Sequence, residues 1–252
     1  MPLVFLPMLF LSFLFEIVDA SFGGGYGTLL TPVLLLLGYD PAEAVPAVLF
    51  SQLTGDFLAV FFHHEFKNVD LSFRSEAFRI AVSLSLLSAL GSIIGVTVAI
   101  NLTSFLLNLY IGALITAIGL IILVYKNRKF VFSWPRLISL GFLAAFNKGI
   151  SGGGYGPLIA GGQILTGVKV KSAVGITSLA EGIICIIAVL SYFLAGKTFD
   201  WSLTIILSIG AMLSAPVSAY IIRKIQNKRL KLILAITTLL LGLTTILQTI
   251  FY

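Results

Sequence analysis

Five ionisable side chains fall inside long apolar runs of this 252-residue sequence: Glu16, Asp19, Asp56, Lys148 and Glu181. Hydrocarbon solvates charge poorly, so acids and lysines at membrane depth serve as ion ligands, proton relays or buried ion pairs. Beside them lie two copies of one pentapeptide. Gly23-Gly24-Gly25-Tyr26-Gly27 follows Asp19, and Gly152-Gly153-Gly154-Tyr155-Gly156 follows Lys148 and Ser151. Glycine is unfavourable inside a helix by about 1 kcal/mol per residue, so each triplet predicts a non-helical turn. A helix that starts just after such a turn aims free N–H groups and the positive end of its dipole back into it, which suits an anion. Small residues also serve plain helix packing. Two copies, each followed by a short apolar stretch, favour the ligand reading. The predicted substrate-binding set is therefore the two pentapeptides with Lys148 and Ser151.

The coupling candidates are Asp19, Gln52, Asp56 and Glu181. A shift of 129 residues superposes the pentapeptides and sets Asp19 on Lys148 and Gln52 on Glu181. Two roles for Lys148 stay open, a salt bridge to Asp19 near a pseudo-two-fold axis or direct contact with substrate. Glu16 and Asp19 lie one turn apart on one face, either within the membrane or at its interface. Hydroxyls and amides crowd both breaks: Ser21, Thr28, Thr31, Ser51 and Thr54 near the first, Asn147, Gln163, Thr177 and Ser178 near the second. Each suits a partly dehydrated oxyanion, and each also suits a helix-packing hydrogen bond.

The elements that must hold these residues follow from composition. Hydrophobic residues make up 58% of the chain and charged residues 10%, with mean hydropathy +1.08. Soluble domains carry roughly 25% charged residues. Apolar segments recur at 2–20, 25–38, 42–62, 77–100, 104–125, 136–149, 155–166, 171–195, 202–222 and 230–251. The segments 25–38 and 155–166 are too short to cross a ~30 Å hydrocarbon core. The first segment lacks a basic n-region and reads as a retained membrane helix.

The repeat extends beyond the glycines. The same shift sets Leu29 on Leu158, Leu36 on Leu165, Gly38 on Gly167 and Ala44-Val45 on Ala173-Val174, and a shift of 130 sets Asp70 on Asp200. The fold class expected is an all-α polytopic membrane protein of two inverted repeats, each with about five helices or half-helices and a Gly-rich hairpin break. Residues 1–125 form the first repeat, 126–135 a cytoplasmic linker and 136–252 the second. If 2–20 and 25–38 form a hairpin, the basic loops 63–75, 126–136, 167–171 and 223–231 share one side, as the positive-inside rule requires. Both termini then lie outside a cell membrane, and an odd number of elements per half inverts the second copy.

Other chemistries fit poorly. The net charge of +6 sits at segment ends, which reads as topology and not as a nucleic-acid surface. The single cysteine, Cys185, excludes an intrachain disulfide and a multi-cysteine metal site. His63 and His64 are adjacent, point apart on a helix, and read as interfacial. The glycine motif lacks the Lys and Ser/Thr of a P-loop, and no nucleophile elbow appears. No cofactor, metal centre or enzymatic activity is expected.

The pentapeptide Gly23 to Gly27 with Leu29, Pro32 and the run to Gly38, the stretch Ala44 to Ser51, and the second copy from Lys148 to Glu181 together resemble the sulfite exporter TauE/SafE family. The resemblance covers most of the chain. It implies a secondary transporter, and more specifically an exporter, of sulfite, thiosulfate or an organosulfonate. The partners implied are that anion and the lipid bilayer, with a coupled proton for uptake; the oligomeric state is left open. One departure stands out: Asp19 precedes the first motif where Lys148 precedes the second, and either turn could hold the anion. The other reading is an ion channel or a cation-coupled or proton-coupled carrier using Asp19, Asp56 and Glu181.

Overall fold

The computed structural model describes residues 2–125, 134–165, 168–222 and 227–251. These form ten helices: α1 (Pro2–Phe22), α2 (Tyr26–Leu36), α3 (Pro41–Glu65), α4 (Glu76–Asn101), α5 (Ser104–Tyr125), α6 (Trp134–Ser151), α7 (Tyr155–Leu165), α8 (Val170–Leu194), α9 (Trp201–Ile221) and α10 (Asn227–Phe251). The expected segments and helices correspond one to one. Most of the predicted linker 126–135, as well as Gly167 and 223–226, lies outside the described residues. Among the described residues, five helices are long and apolar enough to cross a membrane: α3, α4, α5, α8 and α9.

Local chemistry sets the boundaries. Asp40 caps α3, accepting from the Ala42 N–H at 2.8 Å with Pro41 in the first turn. Ser75 caps α4 and Asp200 caps α9, each accepting from an N–H three residues on. The alignment of Asp70 with Asp200 does not carry over to a shared cap. Asp70 instead accepts from the Ser72 N–H at 3.0 Å in a local turn, and α4 begins beyond it. Backbone and side-chain donation from Ser72, reinforced by nearby His64, holds the exposed Asp70 carboxyl below the usual carboxylate range.

The helices pack across the halves. α1 lies on α9 and α6 on α4; α3 lies on α9 and α8 on α4; α5 pairs with α10 and α3 with α8. Exchanging the two halves maps each of these pairs onto another of them or onto itself. Three seams close where glycine lets backbones approach. A Cβ on Gly95 would stand 2.2 Å from the Phe146 carbonyl between α4 and α6. One on Gly210 would stand 2.5 Å from the Leu9 carbonyl between α9 and α1. One on Gly242 would stand 2.8 Å from the Gly112 carbonyl between α10 and α5. The Gly91/Gly95 pair is thus a packing stripe. Gly95→Val is expected to lower stability by about 3 kcal/mol, since a carbonyl cannot swing aside as a side chain can. The thermal midpoint and monodisperse fraction of the purified protein read this out.

Polarity runs inside out relative to a soluble protein. Large apolar side chains face outward, Leu86, Leu90, Val124 and Leu194 among them, the last 83% exposed. Glu16, Asp19, Asp56, Lys148 and Glu181 are all buried. That pattern suits hydrocarbon outside and a polar seam within.

Candidate functional site

The two glycine turns meet each other at the centre. Gly23 and Gly152, which superpose in the repeat, both take left-handed backbone, with φ 77° and 72°. No other residue type adopts this so readily. Gly27 is different, because its need is space. A Cβ there would fall 1.7 Å from the Gly152 carbonyl oxygen. The repeat-related contact sits opposite: a Cβ on Gly156 would fall 2.7 Å from the Gly23 carbonyl oxygen and 2.4 Å from the Gly24 Cα. The Gly154 N–H donates to Thr28 Oγ1 at 3.0 Å and ties one turn to the other. Position 157, which superposes on Thr28, is proline, so this bond has no mirror image.

The tyrosines of the pentapeptides are fully buried. Tyr26 Oη bonds Ser12 Oγ at 2.9 Å and Ser51 Oγ at 2.7 Å, fastening α2 between α1 and α3. Ser151 acts within its own turn, accepting from the Gly153 N–H at 3.2 Å and donating to the Asn147 carbonyl at 2.8 Å.

The four aligned polar residues form one chain across the halves. Lys148 Nζ donates to Glu181 Oε1 at 2.8 Å and to Gln52 Oε1. Gln52 Nε2 donates to Asp19 Oδ2 at 3.4 Å. The salt bridge of Lys148 is therefore with Glu181, not with Asp19. Gln52 stands between Asp19 and the ammonium and offers its carbonyl to one and its amide N–H to the other.

Each turn has a different neighbour at its helix N-terminus. Asp19 Oδ1 accepts from the Tyr26 N–H at 2.8 Å, so a carboxylate of the chain itself already fills the start of α2. Lys148 takes the repeat-equivalent position ahead of α7. There the approaching carboxylate is Glu181, whose Oε2 lies 2.8 Å from where a Gly156 Cβ would be and has no hydrogen-bond donor among the described residues.

The sequence leaves Glu16 open between the membrane interface and the interior. It is fully buried, and among the described residues no donor reaches either of its carboxylate oxygens; the same holds for Asp56. One carboxylate oxygen each from Glu16, Asp19 and Asp56 lies within 4.8 Å of the others. At that separation two carboxylates repel by roughly 3 kcal/mol at an effective dielectric of 20. The histidines also part company. His64 is exposed, but His63 is buried within the protein. Its Nε2–H donates to the Ala20 carbonyl at 2.9 Å and its Nδ1 accepts from Asn68, tying the 66–75 loop to the end of α1.

A family model described as sulfite exporter TauE/SafE matches residues 8–245. The chain is 25% identical over 229 residues to the probable membrane transporter protein YtnM of Bacillus subtilis (strain 168), covering 85% of this chain and 73% of that relative. No solved structure matches the chain.

Proposed function

The chain belongs to the sulfite exporter TauE/SafE family and is a membrane transporter, and on that premise we propose that it exports a small sulfur-containing anion such as sulfite, thiosulfate or an organosulfonate. The observation that carries the choice of seat is the inequality of the two turns. Asp19 accepts from the Tyr26 N–H and closes the first turn to anions. Lys148 precedes the second, and Glu181 links the two: its Oε1 lies 2.8 Å from the Lys148 ammonium and its Oε2 lies 2.8 Å from the place of a Gly156 Cβ at the start of α7. The anion sits there, between Lys148 and the Gly152–Gly156 turn.

In the present conformation Glu181 stands in for that anion, holding Lys148 at 2.8 Å. Substrate binding displaces the Glu181 carboxylate from the ammonium. Gln52 keeps the other side of Lys148 fixed while this happens. A proton taken up by the displaced Glu181, or by Asp19, makes the transfer of a monoanion electroneutral and permits uptake. Without it, efflux of a monoanion is favoured by about 2.3 kcal/mol per 100 mV of inside-negative potential.

Alternating access follows from two repeats, 1–125 and 136–252, inserted with opposite orientation and joined by a cytoplasmic linker, with both termini outside. The exchange of helix partners between halves and the paired contacts of Gly27 with Gly152 and Gly156 with Gly23 support this reading. The test is counterflow in proteoliposomes loaded with sulfite, thiosulfate, sulfate, sulfoacetate, taurine or chloride. Saturable exchange of at least one sulfur oxyanion or sulfonate, with chloride inert, is expected. Unitary currents, or no exchange of any sulfur anion, overturns the reading.

A further inference from the structure

Lys148 is engaged by Glu181 and Gln52, and among the described residues no ion pair reaches Glu16, Asp19 or Asp56. We propose that these three carboxyls form a site for a hard metal cation of sodium or calcium size, loaded together with the anion; the coupling, though not the site, rests on the transport reading above.

Three observations carry it. One ligand oxygen of each residue lies within 4.8 Å of the others, the diameter of a shell of oxygens about 2.4 Å from a hard cation. Glu16 and Asp56 are fully buried, and among the described residues no donor reaches any of their four oxygens. Buried carboxylates are ordinarily hydrogen-bonded, and one bare oxygen each from Glu16 and Asp56, brought together with an oxygen of Asp19, is what a metal would satisfy. The third observation is the repeat. Glu16, Asp19 and Asp56 superpose on Ala145, Lys148 and Cys185, so every acid of the cluster comes from the first half and none has an acidic counterpart. The halves have divided the work: the first is built for a cation, the second for an anion.

Gln52 connects the two sites. Its amide N–H holds Asp19 and its carbonyl holds Lys148. A cation drawing Asp19 toward Glu16 and Asp56 pulls on that amide, and with it on the lysine that receives the anion. Gly55 leaves the space in which Glu16 lies, since a Cβ there would stand 2.8 Å from Glu16 Oε1.

The test separates binding from transport. Purified full-length protein in detergent is titrated with sodium chloride, calcium chloride and choline chloride at fixed pH and ionic strength, and the thermal midpoint is followed. Saturable stabilisation by sodium or by calcium, but not by choline, is expected, and the two titrations tell which ion is taken. Glu16→Gln and Asp56→Asn remove charge at constant shape and relieve repulsion, so they fold; each should raise the apparent metal dissociation constant at least tenfold. Equal behaviour in all three salts overturns the proposal, as does undiminished stabilisation in the Glu16→Gln/Asp56→Asn double variant. So does proton uptake by the cluster without metal binding. Metal binding without sulfur-anion counterflow would sink the transport reading alone, and counterflow without metal binding this proposal alone.

Discussion

Lys148→Met is expected to reduce sulfur-anion counterflow about a hundredfold, the equivalent of losing one charged hydrogen bond of about 2–3 kcal/mol to the substrate. The same change should lower stability by about 3–5 kcal/mol, because Glu181 is left buried without its partner. These two effects have different causes and come apart in a second variant. Lys148→Met with Glu181→Gln removes both charges and should recover most of the stability. Flux should stay as low as in the single variant if Lys148 holds the anion. Flux that returns with stability would assign Lys148 a purely structural role. Counterflow rates normalised to folded protein, with the thermal midpoint measured in parallel, separate the outcomes.

Gly27→Ala should abolish transport and lower stability by about 3 kcal/mol or more. Its Cβ would meet the Gly152 carbonyl oxygen at 1.7 Å, so the two turns must part for the methyl to fit. No side chain can rotate away, since both surfaces are backbone. Gly38→Ala is the matched control. Its φ of 92° strains any L-residue, but nothing lies within 4 Å of the added methyl. That strain amounts to about 1 kcal/mol and sits far from the seam. Gly38→Ala should therefore transport normally, with only a slightly lower melting point. Equal losses in both variants would mean that the closeness of the turns is not what sets the effect.

The helices were readable from hydropathy because apolar runs and polar breaks alternate cleanly, and each of the ten expected segments became a helix. The two glycine pentapeptides align because they are rare and long enough to match over several residues. Facing was harder to read. In a soluble helix the polar side faces water, whereas in hydrocarbon the lipid side and the packed side are both apolar, so periodicity gives weak direction. Glu16 shows the consequence: its position in α1 left interface and interior equally open, and only packing against Gly55 on α3 places it inside. Asp19 and Lys148 were matched by alignment, yet alignment relates equivalent positions and not neighbours. What stands between them is Gln52 from α3, whose amide reaches both. The closure of the first turn by Asp19 was likewise invisible, since nothing in the residue order says that a carboxylate in α1 will accept from the N–H of Tyr26 seven residues on.

The contact between Gly27 and Gly152 also sets a clock. Gates made of side chains open by rotamer flips in picoseconds to nanoseconds, but glycine has no rotamer to flip. On the alternating-access proposal, a passage between these turns opens only when whole helices move, and such motions take microseconds to milliseconds. Each opening is thus a collective event, limited to on the order of a thousand to a million per second. A pore gated by a phenylalanine can flicker; on the transport mechanism proposed above, this seam works at the pace of a carrier.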